Sequence, residues 1–390
     1  MSQAYLYLGW WLNLDNGLPF LDLRRAYSHY GDKIEEAVLK VLKSGVYLNG
    51  PETESLEREL AEFVGVNHAI GVASGTEGLH LILQALDLPK NSYVLLPAFT
   101  FVATCEVIVR AGLSPYFVDI DPKTGNISLD ALRDTLVKLR NKGKKISAVI
   151  VVSIFGNPAD LINIAEFCKD ERLYMIEDIC QAFGAELDGK KVGSFGIASA
   201  TSFYPTKNLS AFGDGGMIFT NDFFLAKKIR YLKEHGQTAP YYYEYHGVNG
   251  RIDEIQCAIL RVKFKHFQKE LLSRERLANF YSERLKEFYP EVKLLKTYIG
   301  SKPAYSLFSV RVKKRDLLKS YLERQNIPCR IYYPIPLHLQ PIYRGLEFKE
   351  GDLPYTELLC KEILSLPFFP YLGEDEAEFV VEKIRAFYGS

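Results

Sequence analysis

Between Pro51 and Asp222, short and almost wholly apolar runs alternate with longer segments whose apolar positions recur at helical spacing. HAIGVAS precedes GTEGLHLILQAL, SYVLLPA precedes TFVATCEVIVRAG, KISAVIVVSIFG precedes PADLINIAEFCKDE, and RLYMIEDIC follows. Strands without polar alternation are those covered on both faces, so the pattern predicts βαβ units and a mostly parallel sheet between two layers of helices. Gly45 and Gly112 stand where helices should stop, and Asp130 opens a helix that carries Lys138 further on. A return strand is expected within VGSFGIASATSFY.

After Gly250 the texture changes. A long charged amphipathic helix, Ile252 to Phe288, is followed by strand YSLFSVRVK, helix RDLLKSYLERQNIP and strand CRIYY. The predicted architecture is α/β: a large three-layer αβα domain over residues 18–255, then a smaller C-terminal α+β domain over 256–390 with the long helix at its start. A chain of 390 residues is long enough for that division. YLYLGWWLNL, too short to span a bilayer and without a basic leader, is expected to form an N-terminal extension over residues 1–17.

Charge narrows the partners. Lysine plus arginine equals aspartate plus glutamate at 48 each, with no block of one sign, which favours a small-molecule ligand over nucleic acid or an anionic membrane. Six cysteines without a CxxC pair, each in an expected helix or strand core, suit a reducing cytoplasm. The seven histidines show no HxxxH or HxH spacing beside cysteines, so no metal site is expected. The tyrosine run Tyr241 to Tyr245 is expected to be an ordered loop covered by a partner.

Ligands of open α/β sheets bind at the carboxyl ends of the strands, so polar residues just after apolar runs carry the chemistry. In SGTEG the backbone N–H groups near Gly75 and Thr76 open a helix and can hold a phosphate; a glycine needed only for its turn is the plainer reading. Asp178 ends a strand with Gln181 just beyond it, where a capping aspartate is the alternative. Phe101 reads first as a core aromatic, and Asn249 and Arg251 as parts of a solvated loop. Lys207 lies between an apolar run and a glycine-rich loop in SFYPTKNLSAFGDGGMIFTND. An anion pocket, a ring stacker, a carboxylate that keeps a pyridine nitrogen protonated and an imine-forming lysine together suit one cofactor, pyridoxal 5'-phosphate.

These residues also carry a resemblance. GLPFLDL, SGTEGLHL, LPAFTFVATCEVIVRAG, YFVDID, SIFGNPADL, IEDICQAFGA, VGSFG, the lysine segment, GVNGRIDEIQCAIL, YYPIPLHLQPIY and LSLPFFPYL make the chain similar to the DegT/DnrJ/StrS sugar-nucleotide aminotransferases over about residues 18 to 372. The resemblance implies the fold of aspartate aminotransferase (fold type I) and the pyridoxal/pyridoxamine phosphate cofactor. It implies that Lys207 is the Schiff-base lysine, Asp178 the pyridinium partner, Gln181 a contact to the ring's phenolic oxygen and Phe101 the stacking face. Gly75, Thr76 and Ser202 would bind the phosphate, and Asn249 would reach the phosphate of the neighbouring subunit, completing shared active sites in a homodimer.

Family members with histidine in place of the lysine are dehydratases, so Lys207 implies a transaminase. Substrates would be L-glutamate/2-oxoglutarate and a nucleotide-diphospho-keto-sugar, UDP- or dTDP-linked, used in amino-sugar biosynthesis. HGQ at His235 and the segments at Asn249 and His338 resemble the 3-keto-sugar group, with the 4-keto group as the rival. Tyr332, Tyr333, Arg251 and His338 are then the substrate candidates, Tyr332 standing where uronate-specific members are expected to carry histidine. A cofactor-bound sensor or scaffold without turnover is the reading from another functional class.

Overall fold

In a computed structural model, which describes residues 17–389, the alternating pattern forms a seven-stranded sheet between two helical layers. The extension expected over residues 1–17 lies, apart from Gly17, outside the described residues. The chain enters through helix α1 (Leu23–Ser44), whose N-cap Asp22 accepts the N–H groups of Arg24 and Arg25 and which ends at Gly45 in the left-handed region. Helix α2 (Pro51–Val64) follows, with proline in its first turn.

The βαβ region then runs β1 (His68–Val72), α3 (Gly75–Ala85), β2 (Tyr93–Pro97), α4 (Ala103–Arg110), β3 (Ser114–Val118), α5 (Leu129–Asn141), β4 (Ile146–Val152), α6 (Leu161–Asp170) and β5 (Tyr174–Asp178). Strands β6 (Ala198–Ser202) and β7 (Gly216–Thr220) and helix α7 (Phe223–Leu232) complete it. The order across the sheet is β1-β7-β6-β5-β4-β2-β3, and β7 alone runs against both of its neighbours.

Side chains alternate between two cores, as a doubly covered sheet requires. Along β4, Ala148 and Ile150 join Leu79 and Ile82 of α3, Ile108 of α4 and Ile229 of α7. Val149 and Val151 join Leu56 of α2, Leu132 of α5, Ile164 of α6 and Leu260 of the long helix on the other face.

That helix, α8 (Glu254–Leu285), is 32 residues long and serves both lobes. Cys257, Leu260 and Phe267 belong to the large core, whereas Leu277, Tyr281 and Leu285 pack against a three-stranded antiparallel sheet, β8 (Val292–Leu294), β9 (Phe308–Val312) and β10 (Ile363–Leu366). Helices α9 (Arg315–Arg324), α10 (Pro354–Glu362) and α11 (Glu374–Gly389) accompany this sheet. The chain also crosses back: Leu337, Tyr343 and Leu353 are buried in the core under α3 and α4, so C-terminal residues help to close the large lobe.

Three local expectations differ from the structure. CRIYY is not a strand; only Arg330 bridges Ser365, and the chain then turns away toward the sheet ends. The expected return strand is confined to Ala198–Ser202, because Val192 to Gly196 form a turn held by a buried carboxylate. Glu177 accepts the N–H groups of Gly193 (2.8 Å), Phe195 (2.7 Å) and Gly196 (2.8 Å). Cys180 lies in the turn after β5 and Cys329 outside any strand, although Cys329 is buried. The tyrosine run forms a short exposed hairpin, Gln237–Ala239 against Tyr242–Tyr243.

Burial pushes the pKa of Glu177 up, and the three backbone donors oppose that rise. Glu177→Ala leaves three donors without an acceptor and is expected to cost about 3 kcal/mol or more of unfolding free energy. Glu177→Gln, which keeps one acceptor oxygen, should lose clearly less in the same urea titration. Equal stability of Glu177→Ala and wild type would remove the carboxylate from this role.

Candidate active site

The C-terminal ends of β5 and β6 and the N-terminus of α3 meet at one edge of the sheet. Asp178, the last residue of β5, is 6% exposed. Thr104 on α4 donates its hydroxyl to Asp178 Oδ2 (2.8 Å), and the Cys180 N–H donates to Oδ1 (3.1 Å). Two donors fix the carboxylate and leave lone pairs for a third. Thr104 was not singled out in the sequence; its hydroxyl meets that of Thr100, in the segment leading into α4, at 3.0 Å.

Gln181 is held from both ends. Its Oε1 accepts the Phe155 N–H (2.9 Å), and its Nε2 donates to the Tyr333 hydroxyl (3.1 Å). Phe155 itself is in the left-handed region at φ 58°, which turns its N–H toward that amide. Phe101 departs from the core reading: it is 55% exposed, just before α4, with its ring 6.3 Å from that of Tyr333. An aromatic face open beside a buried carboxylate is placed to stack on a flat ligand.

Helix α3 is capped by Ser74, whose hydroxyl accepts the Glu77 N–H (3.1 Å), leaving the first-turn donors at Gly75 and Thr76 without partners inside the helix. A Cβ on Gly75 would lie 2.6 Å from Cys180 Sγ and 2.9 Å from Ser202 Cβ. Ser202 pairs in register with Gly216, where a Cβ would come within 2.7 Å of the Gly75 nitrogen. These two glycines allow β6 and β7 to approach the helix end closely enough to form an anion cradle.

Lys207 is half-buried in the β6–β7 connection. The loop closes by Phe203 N–H to Gly215 O, Ala211 N–H to Phe203 O and Lys207 N–H to Tyr204 O, and Asn208 Nδ2 ties it to Ala304 O (2.9 Å). Burial chiefly, and Asp178 next, push the Cys180 thiol well above its ordinary value, while the Lys207 ammonium opposes the rise. The loop that carries Lys207 leaves β6 at Ser202, which lies with Cys180 against Gly75 beside the Asp178 corner.

Lys207 also lines a cavity of about 370 Å³ whose wall includes Tyr30, Asn208, Ser210, Lys263, Glu270 and Arg274. None of the last three was singled out in the sequence, yet their spacing of seven and four residues puts them on one face of α8.

The remaining candidates are placed differently. Asn249 is exposed, in a bridge to Glu234, and does not line that cavity. Arg251 Nη1 pairs with Glu234 Oε2 (2.7 Å). His338 does not offer a substrate contact: it is 1% exposed, its Nε2 3.1 Å from Glu357 Oε1, and packed beside the paired rings of Phe117 and Phe348. That burial makes it a packing residue. Tyr332 and Tyr333 flank the Phe101 corner, and burial pushes both hydroxyls' pKa values up.

A sequence model of the DegT/DnrJ/EryC1/StrS aminotransferase family matches residues 29–385. The chain belongs to that family. It is 41% identical over 95% of its length and 98% of the relative to a protein of Geobacillus stearothermophilus named a pleiotropic regulatory protein. It is 36% identical to the dTDP-3-amino-3,4,6-trideoxy-alpha-D-glucose transaminase of Streptomyces venezuelae (94% of this chain, 95% of the relative). Identity is 35% to the UDP-N-acetyl-3-dehydro-alpha-D-glucosamine 3-aminotransferase of Acidithiobacillus ferrooxidans (95% and 98%). The crystal structure of a family aminotransferase from Brucella abortus superposes with a TM-score of 0.92 at 36% identity, covering 96% of this chain and all of that one.

The protein is thus an aminotransferase of the pyridoxal phosphate class. The cradle at Gly75, the fixed carboxylate of Asp178 and the open face of Phe101 fit that cofactor.

Two tests follow from this geometry. Gly75→Ala forces a shift of roughly 1–3 kcal/mol in the cradle, so cofactor absorbance should fall after gel filtration while far-ultraviolet dichroism is unchanged. Full retention of cofactor would show that the cradle is not the phosphate site. Burial lowers Lys263 to about 8 from its ordinary 10.5, with Glu270 opposing and Arg274 adding to the fall. Between those values the unfolded chain holds a proton that the folded chain has released, so this lysine's contribution to stability rises with pH across that window. The stability difference between wild type and Lys263→Met should therefore shift in favour of wild type by up to roughly 3 kcal/mol as pH rises from neutral to about 10.5. A difference independent of pH would place Lys263 in water.

Proposed function

We propose that the protein moves an amino group from L-glutamate to a 3-keto sugar carried as a nucleotide diphosphate, UDP- or dTDP-linked, with Lys207 as the residue that carries the cofactor. The observation that supports this reading most is that Gly75, at the capped end of α3, lies against both Cys180, two residues past Asp178, and Ser202, from which the Lys207 loop departs. Two relatives named as transaminases of 3-amino sugar nucleotides, one dTDP-linked and one UDP-linked, support the C3 position.

Pyridoxal phosphate, when bound, supplies an aldehyde for amines and a ring that accepts the electrons left when a Cα proton departs. Gly75, Thr76 and Ser202 would hold its phosphate, Phe101 its face, and Gln181 its phenolic oxygen. Asp178, fixed by Thr104 and Cys180, would hold a proton on the ring nitrogen through a charge pair. The Lys207 amine would serve as the base that takes the Cα proton of the donor and holds it for return. Tyr332 and Tyr333 border the side open to the sugar. Arg251, paired with Glu234 in one protomer, and exposed Asn249 would act across a homodimer interface, which the exposed tyrosine hairpin helps to form.

Borohydride reduction followed by peptide mapping is expected to place the cofactor's mass on Lys207. Lys207→Ala should lower turnover by about 10⁴-fold or more, and wild-type initial rates should give the parallel double-reciprocal lines of a two-step exchange. A tag on another side chain would overturn the assignment. A spectrum indifferent to glutamate would favour a sensor over an enzyme.

A further inference from the structure

The cavity beside Lys207 has a charge imbalance that the cofactor's own contacts do not use. Arg274 is 4% exposed and Lys263 5% exposed, and among the described residues neither has a carboxylate within ion-pair distance. Arg274 Nη1 donates to Tyr305 O (3.1 Å), but its buried Nε has no partner. Lys263 Nζ donates to Ser210 Oγ (2.5 Å), one use of an ammonium with three protons. Asn208, 6% exposed, has its buried Oδ1 unpartnered at the same wall.

The negative groups are already engaged. Glu270 Oε1 accepts the hydroxyls of Tyr30 (2.9 Å) and Tyr371 (2.7 Å). Asp22 caps α1 and lies beside the guanidinium groups of Arg24 and Arg25. Lys207, Lys263 and Arg274 thus face a single inner carboxylate, and a buried cation short of a partner is costly until an anion arrives. Burial also lowers Arg274 to about 10, the direction expected of an uncompensated guanidinium.

We infer that this cavity is a carboxylate subsite, formed by Arg274 Nε and the Lys263 ammonium, that takes the distal carboxylate of a dicarboxylic amino donor while its amine lies toward Lys207. This inference rests on the reading of Lys207 given under Proposed function. A volume of about 370 Å³ is at the small end of ligand pockets, suited to a dicarboxylic acid more than to a nucleotide-linked sugar. The wall carries both the fork that a carboxylate matches and apolar surface for a short methylene chain, from Ala211, Phe369 and Pro370.

The test is calorimetric titration of the holoenzyme with glutarate, a dicarboxylate with no amine to react, and in parallel with UDP and inorganic phosphate. Arg274→Gln and Lys263→Met should each weaken glutarate by about ten-fold or more and raise the KM for glutamate, with UDP affinity unchanged. Lys263→Met removes a poorly compensated buried charge, so it serves as the deciding variant if Arg274→Gln fails to fold. Glutarate bound as tightly by the folded variants as by wild type overturns the inference. So does loss of UDP or phosphate affinity with glutarate unchanged, which would give the cavity to the nucleotide. Glutarate binding is read without turnover, so its outcome is separate from whether borohydride tags Lys207.

Discussion

Consecutive residues of a strand face opposite sides of a sheet, and Glu177 and Asp178 at the end of β5 divide two tasks by that alternation. Glu177 turns to the side where the chain returns and grips three N–H groups of the Gly193–Gly196 turn. That grip sets where β6 begins, and the parallel register of Ile176 with Ala198 and Asp178 with Ala200 follows from it. Two residues later β6 delivers Ser202 against Gly75, and the loop that bears Lys207 starts from there. Asp178, facing the other side, meets Thr104. A displaced turn would move the phosphate cradle and the lysine loop together relative to the carboxylate.

The sequence made the sheet legible because its strands are apolar on both faces and its helices are punctuated. Two strands were missed for identifiable reasons. β3 carries Pro115, which argues against a central strand, but β3 is at the sheet edge, where proline is tolerated. β7 is the five-residue run GMIFT between Gly215 and Asn221-Asp222, too short and too close to the glycine-rich loop before it to stand apart in the sequence. CRIYY had strand composition, but it meets β10 at a single bridge, Arg330 to Ser365, and tertiary context decided against a strand.

In the site, residues whose positions follow from the backbone were the readable ones. Asp178, Gly75 and Lys207 are each fixed by where a strand ends. His338 and the α8 cations were not, because exposure decides their meaning. A histidine beside a proline-rich segment can face solvent or, as here, pack against the paired rings of Phe117 and Phe348. Lys263, Glu270 and Arg274 belong to a helix rich in charge, where a solvated face is the ordinary reading. Only the packing of Phe369, Tyr371 and α1 over that face turns them into a buried cluster.

The two lysines of the site illustrate a division of labour that follows from burial. In the role proposed for it Lys207 exchanges partners and protons; its loop is held by backbone bonds and by Asn208, and the residue lines an open cavity. Lys263 is enclosed, pushed down to about 8, and bonded to Ser210. An amine in that state gains most from an anion, since binding relieves a desolvation already incurred in folding. An aminotransferase that uses one site for two unlike substrates needs such asymmetry. In the function proposed above, the α8 cations would select a dicarboxylate, and Tyr332 and Tyr333 would border the sugar. If the cation pair were fully neutralised by protein carboxylates, the fold would be more secure, but the donor would have no charge left to recognise.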